Sequence, residues 1–145
     1  MEKHNTYLEK IGIPEGSDLY NKILYHYNFY FNDLEVTIDE LFVSETINSE
    51  GNRIYLNLWF FNDASLMEIK GFNSKDDYDQ DWKSSIIAWN FTRKDYDNIA
   101  TPIDTSRALL KIFMDNGRQA EIKASKENCT HLFEILKKIP VSELK

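Results

Sequence analysis

Between Arg107 and Ile139 the hydrophobic rhythm changes once, near Ser125, and that change restricts the fold more than any other feature of the chain. Before it, Ala108, Leu110, Ile112 and Met114 alternate with Arg107, Leu109, Lys111 and Phe113, and Ala120, Ile122 and Ala124 alternate with Gln119, Glu121 and Lys123. A period of two is what strands with one buried face require. The Asp115-Asn116-Gly117 turn between them fits a tight hairpin, because Asn and Gly tolerate positive φ. After Ser125, Cys129, Leu132, Phe133, Leu136 and Ile139 fall on one face of a helix, and Thr130, His131, Glu134, Lys137 and Lys138 on the other. Ser125 is the expected N-cap, Glu127 suits the first turn, the two lysines suit the last, and Pro140 stops the helix.

Upstream, the pattern is mostly extended. Arg53 to Phe61 sets Ile54, Leu56, Leu58 and Phe60 against Tyr55, Asn57, Trp59 and Phe61, and residues 65–72 return as its hairpin partner after Asn62-Asp63. Residues 36–47 and 83–93 read as further strands, the former interrupted near Asp39-Glu40. The polar stretch 73–82 reads as a loop, and 94–105 as a connection. Residues 17–32 admit two readings. Ser17-Asp18 caps a helix carrying Leu19, Tyr20, Ile23, Leu24 and Tyr27, or Ile23, Tyr25, Tyr27, Phe29 and Phe31 alternate as a strand; aromatic density favours the strand from about Lys22. Tyr7, Leu8 and Ile11 are the expected anchors of a lead-in that breaks at Pro14-Glu15-Gly16.

The expected architecture is therefore one mainly β (α+β) domain over 1–145. Its lead-in is 1–21, its seven-stranded antiparallel meander is 22–124, curled into a barrel or sandwich, and its capping helix is 125–139. This order of strands and closing helix, over roughly 22–139, resembles the pleckstrin-homology-like superfold of the bacterial type. The resemblance implies a binding fold for lipid, peptide or protein. Lipid-binding members carry Lys and Arg after the first strand, where this chain has Asn32-Asp33-Leu34-Glu35, so phosphoinositide binding is not implied. Many members place a Trp in the closing helix; here Phe133 is expected to fill that volume.

The net charge of −7 disfavours nucleic acid or an anionic membrane as the main partner. Cys129 is the only cysteine, so no intrachain disulfide forms, and its place on the apolar helix face marks a buried hydrophobe. No apolar leader follows the start of the sequence, and a cytoplasmic, bacterial protein is expected.

Few residues carry a chemical signature. Asp77, Asp79 and Asp81 imitate the start of a calcium loop, but Trp82 stands where its glycine belongs and Ala88 where its bidentate Glu belongs. A solvated acidic loop or a contact for a basic partner are the other readings. His4, His26 and His131 form no zinc spacing, and His131 is expected at the surface. There is no phosphate loop, nucleophile elbow or dinucleotide fingerprint, and no cofactor is expected. Tyr55, Trp59 and Phe61 share the second face of their strand, as a protein-contact surface or beneath the lead-in, the 94–105 connection or a homodimer partner. The expected function is a non-enzymatic protein- or peptide-binding module. The alternatives are an acidic immunity-type inhibitor of a basic toxin and, after it, a small-ligand carrier or enzyme.

Overall fold

The structure, a computed structural model, describes residues 1–63, 65–73, 78–94 and 107–141; for 80–85, 87, 93 and 94 the description is of backbone alone. After a 3-10 turn, Glu2–His4, come α1 (Asn5–Lys10), α2 (Asp18–Asn28) and a π-helical turn, Phe29–Asp33. Six strands follow: β1 (Glu40–Ile47), β2 (Arg53–Asn62), β3 (Ser65–Lys70), β4 (Asp79–Lys94), β5 (Arg107–Met114) and β6 (Gln119–Ser125). Helix α3 (Glu127–Lys138) closes the order.

The strands form an antiparallel meander in sequence order. Long β4 belongs to both halves of it: residues 79–85 pair with β3 and residues 86–94 with β5. The curl brings β1 beside β6, yet no ladder joins them among the described residues, so the wall does not close into a barrel.

Six strands among the described residues, not the expected seven, is a correction, and it falls on residues 22–31. They are helical, and Ile23, His26, Tyr27 and Tyr30 are buried at helical spacing, in line with Tyr20 just before them. Tyr25 and Phe31, which a strand would have aligned with Ile23 and Tyr27, are 59% and 44% exposed. The Ser17 side chain accepts the Tyr20 N–H at 3.3 Å, as a helix N-cap does. The aromatics that favoured a strand act instead through one helical face: Tyr27 and Tyr30 meet Phe60 of β2 edge-on, with centroids 6.2 Å away in each case.

The closing hairpin and helix stand as expected, with two changes. Ser125 ends β6, and Lys126, at φ 53°, turns the corner into α3 without any side-chain cap. Cys129, Leu132, Leu136 and Ile139 are buried, but Ile135 takes the inward place assigned to Phe133. Phe133 lies at the flank of the helix, 37% exposed, tilted against Phe91 with the Lys137 ammonium 5.0 Å from its ring centroid. Tyr7, Leu8 and Ile11 are buried, as their pattern in the lead-in implied.

β4 begins at Asp79, inside the stretch read as a loop. The connection 94–105 lies outside the described residues beyond Lys94. No helix among the described residues is long and apolar enough to cross a membrane.

Candidate functional site

The seam between β1 and β6 is where the fold leaves backbone groups without a ladder, and side chains from α1 and α3 fill it. The Val43 N–H donates to Tyr7 Oη (3.0 Å), Tyr7 Oη donates to Asn128 Oδ1 (2.8 Å), and Asn128 Nδ2 donates back to the Val43 carbonyl (2.9 Å). His131 Nε2 lies 3.3 Å from the Leu41 carbonyl, two residues along the same edge. Edge strands need such covering, because an unpaired buried N–H or C=O costs about 1–3 kcal/mol. The His131 ring also stacks on Tyr7 at 3.6 Å. His131 is thus half-buried rather than a surface residue, because the seam draws the polar side of α3 inward. Burial lowers its pKa, partly offset by the Leu41 carbonyl.

Below this plug stands a buried ion pair. Glu45 is enclosed, and both of its oxygens accept from Arg53 Nη1, at 2.7 and 2.8 Å. Arg53 also reaches Glu127 in the first turn of α3. Burial raises the Glu45 pKa, and the Arg53 charge opposes that rise. A bulge at Ser44 re-aims this end of β1, and Ser44 Oγ accepts from the Asn57 N–H and from Trp59 Nε1.

Where the end of β1 passes β6, the seam opens into a cleft of about 420 Å³. One wall is Glu45 and Thr46; the other is Lys123, Ala124 and Ser125. Its floor is the face of β4 and β5 that carries Asn90, Thr92, Leu109 and Lys111. Register places Asn90 opposite Lys111, Thr92 opposite Leu109, and Leu109 opposite Lys123. The other face of β5 and β6 holds the buried Leu110, Ile112 and Ile122. Arg107 lines the cleft as well. Ser125 is fully buried in this wall, and its Oγ has no hydrogen-bond partner among the described residues. The arrangement offers a short apolar floor, hydroxyl and amide groups, and a cationic rim, which are the elements of a small recognition site.

The aromatic face proposed from sequence lies elsewhere. Trp59 and Phe61 are each 1% exposed, and Tyr55 is half-buried with its hydroxyl donating to the Ile11 carbonyl at 2.5 Å. Phe61 borders a smaller hollow of about 160 Å³ with Asp39, Glu40, Asp63 and Lys138. The covering comes from the chain itself: α1 and its exit at Ile11 lie over Tyr55, while the Phe60 side rests on α2.

Asp77 lies outside the described residues. Asp79 and Asp81 are on β4, opposite Lys70 and Glu68. Among the described residues no group of three His, Cys, Asp or Glu side chains is placed to hold a metal ion. His4 and His26 are buried in separate places: His4 meets Tyr27 edge-on, and His26 meets Tyr78 at 4.5 Å. Burial pushes the His4 pKa down to about 4 and lowers that of His26.

Compared with known proteins, the chain matches no family model, no curated protein and no solved structure. The cleft residues escaped the sequence reading because Leu109, Lys111 and Lys123 look like the ordinary solvent face of a hairpin. Only the curl that brings β1 alongside gives that face a wall.

Proposed function

We propose that the chain is a non-enzymatic binding module that recognises a protein or peptide partner through the cleft at the β1/β6 seam. The observation that carries this reading is the contrast between two sets of groups. The titratable side chains that are buried near the seam are already committed to the fold: Glu45 to Arg53, His131 to Leu41, Tyr7 to Asn128 and Val43. Besides Glu45, which Arg53 holds, the groups lining the cleft are cations, hydroxyls, an amide and apolar side chains suited to contact. The cleft volume also falls within the range of ordinary recognition pockets, about 300–1,000 Å³.

The kinship with pleckstrin-homology-like domains belongs to the same proposal. A curled antiparallel meander with a helix packed at its end supports it; the helix in place of a first strand is a departure.

The test is affinity capture with wild-type protein and with Leu109→Trp, which fills the cleft floor from a solvent-facing position. A partner retained by the wild type and lost by the variant, at equal thermal stability, supports the reading. A partner retained equally by both overturns it. An acidic inhibitor of a basic protein, the reading favoured by the −7 net charge, predicts instead that retention survives Leu109→Trp and falls steeply with salt.

A further inference from the structure

We infer that the C-terminal end of α2, with the π-helical turn that continues it, is a docking surface for a cationic segment of a protein partner. The partner's Lys or Arg meets Asp33 and Glu35, and its apolar side chains pack on Phe29 and Leu34. The surface shares no residue with the β1/β6 cleft, and the inference does not depend on that reading.

Exposed apolar side chains are concentrated there. Of the six large hydrophobic side chains that stand exposed among the described residues, four, Tyr25, Phe29, Phe31 and Leu34, fall between Tyr25 and Leu34. Tyr25 and Phe29 are one helical turn apart, on the side of the helix turned away from the buried Ile23, Tyr27 and Tyr30. The Leu34 N–H donates to the Phe29 carbonyl at 3.1 Å, which sets Leu34 one π-turn on from Phe29. Phe31 stands at the flank, stacked on Tyr27. Single exposed hydrophobes are ordinary, but a contiguous group of this kind marks a contact surface.

The charges at this end of the helix name the partner. Between Ile23 and Asn52 the sequence holds six acids and no Lys or Arg. Glu40 and Glu45 are paired with Lys138 and Arg53, whereas Asp33 and Glu35 are exposed and have no ion pair among the described residues. Their position is unfavourable for the free protein. Asp33 ends the helix, Leu34 is its C-cap, and Glu35, at φ 54°, takes the left-handed position that follows. Helices commonly carry Gly there, and the negative end of the helix dipole repels both carboxylates. Breaks of local rules of this kind are expected at functional sites, and a cation arriving from outside relieves the repulsion. The exposed ring faces attract a cation as well.

Other occupants fit one half of the surface and not the other. A nucleic acid or an anionic membrane would meet the wrong charge. A second copy of the chain, docked by the same face, would bring like carboxylates together. A cationic protein segment that carries a large apolar side chain satisfies both halves.

The experiment uses the full chain, labelled with 15N, and short leucine-containing peptides whose remaining positions are all lysine, all glutamine or all glutamate, at low salt. The lysine peptide should shift the amides of Phe29, Asp33 and Leu34 saturably, binding roughly fivefold more tightly than the glutamine peptide, with the glutamate peptide weakest. Phe29→Ala combined with Leu34→Ala should lower the affinity for the lysine peptide several-fold. Asp33→Asn combined with Glu35→Gly should abolish the preference for lysine and raise the melting temperature by a few degrees, because both changes relieve the helix end. All four positions are exposed, so the variants keep the fold. Shifts that fail to appear at these amides, that persist undiminished in the Phe29 and Leu34 variant, or that favour the glutamine or glutamate peptide would overturn the inference. So would a charge variant no more stable than the wild type, since the two acids would then serve the fold. Shifts at these amides that grow with protein concentration in the absence of peptide would also overturn it, and would assign the face to a second copy.

Discussion

Tyr7 and Asn128, 121 residues apart in sequence, share a hydrogen bond of 2.8 Å that joins the first helix to the last across the edge of β1. The pair does not merely touch. Together they satisfy both the N–H and the carbonyl of Val43, so the ring Val43–Tyr7–Asn128 takes the place of the strand that would otherwise lie there. Burial drives the Tyr7 pKa well above the ordinary phenol value, consistent with a neutral hydroxyl acting as donor and acceptor at once.

Tyr7→Phe removes that hydroxyl while keeping the ring stacked on His131. It leaves the Val43 N–H and Asn128 Oδ1 without their partner, and a loss of about 2–3 kcal/mol is expected. Urea unfolding monitored by tryptophan fluorescence measures it, with an unchanged m-value showing that the fold itself persists.

The Glu45–Arg53 pair should be strongly asymmetric under mutation. Arg53→Ala strands an enclosed carboxylate and is expected to cost about 3–5 kcal/mol, whereas Glu45→Gln keeps a hydrogen-bonding side chain and should cost less. Equal destabilisation by the two variants would contradict a buried pair dominated by desolvation.

The histidines set a direction for acid sensitivity. In the folded protein His4 has its pKa lowered to about 4, and His26 and His131 are lowered as well, all chiefly by burial. The unfolded chain takes up protons near the ordinary value of about 6.5, so below it the unfolded state binds more protons than the native state. Their contribution is fully present above that value and is lost as pH falls toward the folded pKa. Glu45 acts in the opposite sense: its raised pKa makes its contribution greatest at low pH and smaller as pH rises through the folded value. Thermal melts between pH 7 and 4.5 should show falling stability, and His4→Gln should flatten the slope.

Gly12 is expected to resist substitution. Its φ of +86° strains any L side chain, and a Cβ there would stand 2.9 Å from Tyr55 Oη, which is already bonded to Ile11. Gly12→Ala should cost more than about 1 kcal/mol. Gly12→Ala combined with Tyr55→Phe should recover part of the loss, because the clash goes and the strain remains.

Much of the sheet was legible because alternation is local. β5, the Asn116-Gly117 turn and β6 have the burial that their two-residue period implies, and β2 was plain from its β-branched and aromatic run. The helix at Asp18–Asn28 was less so. Ile23 and Tyr27 satisfy both a period of two and a helical repeat, and the choice rests on Ser17 capping and on Phe60 waiting opposite. Phe133 and Ile135 exchanged places for a similar reason: helical spacing marks a stripe, and the neighbouring elements decide which edge of it turns inward.

The sequence by itself determined the closing hairpin, the final helix and the apolar side of the lead-in, since each follows from spacing along a few consecutive residues. Tertiary structure alone decided that Trp59 and Phe61 lie covered and that Tyr7 and Asn128 replace a missing strand. It also made Leu109 and Lys111 part of the floor, and Lys123 and Ser125 part of one wall, of a cleft. The physical reason is the curl of the sheet: it brings together β1 and β6, far apart in the chain, and what fills or leaves open the gap between them depends on contacts that no local pattern encodes.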